Sequence, residues 1–128
     1  MLSKHHILVV DDDESIRRIV QDVLEWEGYS VQVASDGLDA LGSIEREPPS
    51  LILLDMRMPV LNGWEFVQEL SKRGVRIPII VMTAAVNAQK WADEVGADAY
   101  LAKPFDLADL IDLVARLHST GSGASDAL

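Results

Sequence analysis

A chain of 128 residues has room for one domain with a sizeable core and not for two. Its formal net charge of −10 argues against direct nucleic-acid binding, which needs a basic footprint, and against docking on an anionic membrane surface. It contains no cysteine, which excludes disulfides, thiol catalysis and thiolate metal sites. The amino terminus before Ile7 is too short and polar for a signal peptide, and no apolar run approaches membrane-spanning length. The expected setting is therefore the cytoplasm. His5 and His6 lack a third ligand nearby and are expected to be exposed and inert.

Ile7-Leu8-Val9-Val10 is the first predicted strand, and it ends in Asp11-Asp12-Asp13. From Glu14 to Glu27, apolar residues fall at Ile16, Ile19, Val20, Val23 and Leu24, the spacing of an amphipathic helix. Asp11 or Asp13 can cap it, and Gly28 stops it. Val31-Gln32-Val33-Ala34 is a short second strand. Asp36 to Arg46 is a second helix with Leu38, Leu41 and Ile44 inward, ended by Pro48-Pro49. Leu51-Ile52-Leu53-Leu54 then runs without a break into Asp55, and Pro59 stops regular structure. An unbroken apolar run of this kind predicts a strand covered on both faces, as in a parallel sheet.

Asn62 caps a third helix with Glu65 as its capping-box partner, and Phe66, Val67 and Leu70 form the buried stripe. Ile79-Ile80-Val81-Met82 is the fourth strand, opening onto Thr83. A short helix from about Asn87 to Val95 closes at Gly96. Ala99-Tyr100-Leu101-Ala102 is the fifth strand and runs into Lys103-Pro104. Asp106 caps the last helix, whose Leu107, Leu110, Ile111, Val114 and Leu117 face inward. Five strands alternating with five helices predict a doubly wound α/β fold, a flavodoxin-like parallel sheet of order 2-1-3-4-5 with helices on both faces. One domain is expected over residues 5–118, with a flexible tail over 119–128.

In that strand order, Asp11 and Asp12 from the first strand and Asp55 from the third meet at the carboxyl edge, at the topological switch point where open sheets place their ligands. Thr83 and Lys103 reach the same edge from the fourth and fifth strands. Two like charges about 4 Å apart repel by roughly 4 kcal/mol at an effective dielectric near 20, so a proton, a cation or Lys103 must offset the cluster. All-oxygen ligands with an open position suit Mg²⁺. With such an ion neutralising phosphoryl oxygens, Asp55 becomes a candidate nucleophile toward phosphorus. Lys103 would hold the phosphoryl group as a point charge, and the Thr83 hydroxyl would donate to it. Singly, each residue has a plainer reading: a helix cap, a solvated turn, a common Lys-Pro step. Their convergence on one chemistry is what points to a site.

The chain resembles the receiver domain of two-component response regulators over nearly its whole length, and is similar to the single-domain, chemotaxis-regulator type. The residues that carry this are Ile7-Leu8-Val9-Val10-Asp11-Asp12, Leu53-Leu54-Asp55-Met56-Arg57-Met58-Pro59 with Asn62-Gly63, Val81-Met82-Thr83-Ala84, and Gly96-Ala97-Asp98-Ala99-Tyr100-Leu101-Ala102-Lys103-Pro104-Phe105. The resemblance implies that Asp55 is the phosphoacceptor. It implies that Asp12 and Asp55 are side-chain ligands of Mg²⁺, that Asp11 acts largely through water, and that the backbone carbonyl of Arg57 completes the metal site. Thr83 matches the switch hydroxyl, Lys103 the site lysine, and Tyr100 the aromatic that turns inward on phosphorylation; Lys103-Pro104 would be a cis peptide. The implied donor is a sensor histidine kinase or a histidine phosphotransfer protein. The implied output is a remodelled face, made by the fourth helix, fifth strand and fifth helix, for an unknown downstream protein.

Two features depart from the family's pattern. Arg57 stands where a small or polar residue is more usual. The segment from Thr83 to Gly96 is about two residues short and alanine-rich, and its Trp91 is either a partner anchor or a packed ring. Three rival readings differ in class. Asp11-Asp12-Asp13 mimics the Asp-x-Asp motif of a phosphohydrolase, but the motif's later Thr or Val is Ser15 here, and Asp55 and Thr83 would lack a role. A flavin-binding module needs a phosphate cradle after the first strand, where three acidic residues would repel it. A phosphorylation-independent interaction domain would not need so complete an acidic cluster. No helix-turn-helix output module fits within this length, so the expected output is protein contact or phosphoryl relay.

Overall fold

The computed structural model describes residues 6–126, with side chains as far as His118. Its elements in chain order are β1 (Ile7–Val10), α1 (Glu14–Trp26), β2 (Val31–Ala34), α2 (Gly37–Arg46) and β3 (Leu51–Asp55). They are followed by α3 (Gly63–Lys72), β4 (Ile79–Ala84), α4 (Ala88–Val95), β5 (Ala99–Lys103) and α5 (Leu107–Asp126). The strands form one parallel sheet of order β2-β1-β3-β4-β5. Each crossover carries a helix, which is the only short way to join parallel neighbours.

The alternation of side chains along each strand divides the core in two. Leu8, Val10, Ile52, Leu54 and Val81 face α2, α3 and α4, where they meet Leu41, Ile44, Phe66, Leu70 and Ala92. Ile7, Val9, Leu51, Leu53, Ile80 and Met82 face α1 and α5, against Val20, Leu24, Leu110 and Val114. Because both faces of β1 and β3 are covered, neither strand has a polar position before the sheet's carboxyl edge, where Asp11 follows β1 and Asp55 ends β3. Side-chain caps form at three helix starts, as expected for Asp13 and Asn62, while Asp36, expected as the first residue of its helix, is the cap instead. Asp13 Oδ1 accepts from the N–H groups of Ser15 and Ile16 at 2.9 and 3.2 Å. Asp36 Oδ1 accepts from Asp39 at 2.8 Å, and Asn62 and Glu65 exchange a reciprocal pair at 2.9 and 3.0 Å. Asp106 precedes α5, and its carbonyl accepts from Asp109 and Leu110.

Several side chains lie elsewhere than expected. Leu38 is 61% exposed, because Gly37, Ala40, Leu41 and Ile44 already occupy the inward stripe at i, i+3, i+4 and i+7. Ile19 and Leu107 are 50% and 41% exposed; they line an apolar groove between α1 and the β5–α5 turn instead of entering the core. His6 is buried, not exposed, since its carbonyl accepts from the Ser50 N–H at 2.9 Å and draws the residue into the sheet margin. His5 lies outside the described residues. The backbone of α5 continues to Asp126, past the helix end expected at His118, while residues 127–128 of the expected flexible tail lie outside the described residues.

The loop after β3 is held tightly. Val60 has φ 70°, a left-handed conformation that costs a β-branched residue roughly 1–2 kcal/mol, and Leu61 N–H closes the turn onto Pro59 O at 2.7 Å. The Gly63 N–H bonds Met56 O at 2.9 Å. A Cβ on Gly63 would lie 2.5 Å from Met56 Sδ and 2.8 Å from Met56 Cα, so only glycine lets α3 begin this close to the residue after Asp55. Gly63→Ala is expected to cost about 1–3 kcal/mol, read as a lower urea midpoint with an unchanged slope.

Candidate functional site

β1, β3, β4 and β5 deliver Asp11, Asp55, Thr83 and Lys103 to one edge. Asp11 and Asp55 are buried, Thr83 is buried beside them as the penultimate residue of β4, and Asp12 is exposed at the mouth. One carboxylate oxygen from each of Asp11, Asp12 and Asp55 lies within 4.8 Å of the others. Lys103 Nζ donates to Asp11 Oδ2 at 2.9 Å and stands 3.5 Å from Asp55 Oδ1. The other oxygen of Asp11 accepts the Asp13 N–H at 2.9 Å, so both are engaged. The Lys103–Pro104 peptide is cis. Tyr100 is 42% exposed, outside the acidic cleft.

The electrostatics follow from one ammonium set against two buried carboxylates, with a third, Asp12, close to both of them. Burial first, and then the charge of Asp11, push Asp55 up from the ordinary carboxylate range to about 7. Lys103 and the backbone N–H of Arg57 oppose that rise, and Asp12 adds to it. Burial alone would lower Lys103, but its hydrogen bond to Asp11 and the charges of Asp11 and Asp55 outweigh this and raise it. Lys103 is therefore a permanent cation, whereas Asp55 lacks enough positive charge to be fully ionised at neutral pH.

That shortfall, with an all-oxygen donor set and an exposed Asp12, fits a small divalent cation. Mg²⁺–oxygen bonds of about 2.1 Å place adjacent ligands about 3 Å apart and opposite ones about 4.2 Å apart. Carboxylate oxygens within 4.8 Å of one another are close enough to share one such ion. Arg57 is exposed, and with Asp12, Met56, Met58, Pro59, Asn62 and Trp64 it lines a recess of about 350 Å³ beside the carboxylates.

Sequence reasoning did not single out two contributors. Arg17, on α1, donates from Nη1 to the Asp11 carbonyl at 2.8 Å and fixes the corner between β1 and α1. In the sequence it is one polar residue of an amphipathic helix, with no signal of its own. Trp64 lines the recess from the first turn of α3; a large ring one residue after the capping Asn62-Gly63 was the available signal. Trp91 is half-buried and packs on Trp64, so it is not a freely exposed anchor.

Residues 7–115 match the family model described as the response regulator receiver domain. The chain belongs to the receiver domain family of response regulators. The receiver domain is 41% identical over 107 residues to the response regulator MprA of Mycobacterium leprae, covering 82% of this chain and 47% of that one. It is 42% identical to MprA of Mycobacterium avium over the same span. The chain thus spans about half the length of the curated relatives it matches. Among solved structures, the chemotaxis protein CheY4 of Vibrio cholerae aligns with a TM-score of 0.81 at 33% identity, over 90% of this chain and 99% of that one. The receiver domain of NtrX from Brucella abortus aligns at 0.82 and 32% identity, over 89% and 98%. Receiver domains are signalling domains of two-component systems, not conventional enzymes, and they generally bind Mg²⁺ at an acidic pocket. No helix among the described residues is long and apolar enough to cross a membrane.

In metal-free protein, folded Asp55 keeps its proton up to about pH 7, whereas the unfolded chain loses it near the ordinary value of 3.8. Stability from this group is therefore full below the unfolded value and is lost as pH rises through the folded one. Asp55→Asn should raise the unfolding free energy at pH 8 by on the order of 1–4 kcal/mol, with the difference vanishing toward pH 4. Urea titrations in chelator across this range, repeated with Mg²⁺ to shrink the gap, provide the check.

Proposed function

We propose that this receiver domain accepts a phosphoryl group on Asp55 from the phosphohistidine of a sensor histidine kinase or histidine phosphotransfer protein. The observation that carries the reading is the convergence of three carboxylates at one edge, with Lys103 Nζ against Asp11 and Asp55 and with Asp55 buried and short of positive charge. Asp12 and Asp55 would hold Mg²⁺ directly, Asp11 through water, and the Arg57 carbonyl would complete the set; the ion would supply neutralisation of the phosphoryl oxygens. An Asp55 carboxylate oxygen attacks phosphorus, the O–P bond forms, the donor's P–N bond breaks, and the imidazole departs with its electron pair and takes up a proton. Lys103 holds a phosphoryl oxygen as a point charge, and Asp11 keeps that lysine aimed through its 2.9 Å bond.

Thr83 then donates its hydroxyl to the phosphoryl group, and Tyr100 turns inward from its exposed position. The α4-β5-α5 face is thereby remodelled for a downstream protein partner. The apolar groove of Ile16, Ile19, Val20, Phe105 and Leu107 borders Lys103 and Pro104, and supports docking of a helix from the donor protein next to the acceptor. Asp11 is a poor nucleophile because both its oxygens are engaged, which counts against an Asp-x-Asp phosphohydrolase. A cytoplasmic setting and an output that does not touch nucleic acid directly belong to the same proposal, as does whatever the remainder of a longer protein would add.

Incubation with a small phosphodonor and Mg²⁺ should add one phosphoryl group to the wild type by mass spectrometry and none to Asp55→Asn; equal labelling of both would place the acceptor elsewhere. Arg57 is exposed and lines the recess that it shares with Asp12, beside the acidic site. Arg57→Asn should therefore change the half-life of the aspartyl phosphate by about threefold or more, as one charged hydrogen bond is worth roughly 1–2 kcal/mol. Decay followed after donor removal tests this, and identical rates would remove the side chain from the mechanism.

A further inference from the structure

The fully buried side chains that seat α4 on the sheet are small, with Val95 and Trp91 partly buried beside them. The buried residues of α4 are Ala88 and Ala92, and a methyl group removes little apolar surface from water. Its N-cap residue Asn87 makes no side-chain capping bond, so a common local stabiliser is missing as well. The large ring on α4, Trp91, meets Trp64 of α3 edge to face, with centroids 4.8 Å apart and planes at 71°. The Trp64 indole N–H also donates to Glu94 Oε1 at 2.9 Å. Trp91 and Glu94, three residues apart, lie on one face of the helix, so a single α3 side chain grips α4 at two points.

The same side chain is tied to the acceptor site. Trp64 follows Gly63, whose N–H bonds the carbonyl of Met56 and whose Cα has no room for a side chain against that residue. Met56 directly follows Asp55. Trp64 also shares the recess with Asp12 and Arg57. A shift of the chain at Met56 is therefore passed to Trp64 through close contact and not through a soft loop.

We propose that Trp64, Trp91 and Glu94 form a latch that positions α4 and carries the state of the acidic site to it, by a route separate from Thr83. This rests on the reading of Asp55 as the phosphoacceptor. Edge-to-face rings have few favourable arrangements, so the pair either keeps its contact or exchanges it for another, which is how a small displacement becomes a discrete change. These are positioning residues: none of them touches the reacting atoms.

The test uses the full chain carrying Trp26→Phe, so that indole emission comes only from Trp64 and Trp91, since the sequence holds three tryptophans. Amide hydrogen exchange of α4 is measured with and without Mg²⁺ and beryllofluoride, a phosphoryl mimic. In this parent, loading should change both the emission and the α4 exchange rates, the latter by about fivefold or more. Trp91→Leu keeps apolar bulk but loses the ring edge; the site-dependent difference should fall below about twofold, with phosphoryl uptake by mass spectrometry unchanged. Glu94→Gln keeps an oxygen acceptor and should keep the response. Should Trp91→Leu leave α4 unprotected in both states, Trp64→Phe decides instead, because it keeps an aromatic ring, though a smaller one, and removes the N–H donor: loss of the difference supports the latch. A full response in whichever variant decides, or no response in a parent that takes up phosphoryl normally, overturns the latch and leaves the acceptor standing. A parent that takes up no phosphoryl group removes the acceptor reading, and the latch with it.

Discussion

Asp11, Asp12 and Asp55 repel one another, and within the described residues the opposing positive charge at their centre is the single ammonium of Lys103. Carboxylates free to move would separate. They stay because β1 and β3 are hydrogen-bonded neighbours in register, Val10 opposite Leu54, so the residues that follow must emerge side by side. The apolar strands, buried on both faces, supply the rigidity, and the caps and Arg17 hold the loop that carries Asp11 and Asp12. The imbalance left at the site falls on Asp55, which burial and the charge of Asp11 raise to about 7.

Around that constraint, the receiver scaffold is uneven in firmness. The loop after β3 is over-determined, with Gly63 against Met56 and Gly37 leaving room for the Leu61 backbone. α4 is the opposite case: eight residues, alanines beneath it, and lateral support from α3. A region with few buried apolar contacts is the part of a fold that can shift at low cost, and α4 belongs to the face expected to meet a partner. Membership of the receiver family settles the general role, and the chain spans 47% of the length of a relative such as MprA.

The element pattern was legible because both periods are strong. Apolar runs ending in Asp11 and Asp55 mark doubly covered strands, and Asp13, Asp36 and Asn62 mark helix starts. The errors came where a period is read without knowing how far the sheet extends. Leu38 fits a helical stripe but was displaced from it by Gly37 and Ala40, and Ile19 and Leu107 fit theirs but overhang a groove. His6 looked exposed because nothing local predicts that Ser50, far along the chain, will bond its carbonyl.

By itself, the sequence determined the alternating elements and the fold class, because these follow from local patterning and from the handedness rule for parallel crossovers; the strand order, and with it the acidic cluster, was expected as the common arrangement of five such strands. Only the tertiary structure decided which carboxylate is tethered and which is exposed, that Arg17 and Trp64 serve the site, and that Trp91 packs on α3. Those facts depend on distances between side chains from separate elements, and such distances are set by packing, which no single stretch of sequence encodes.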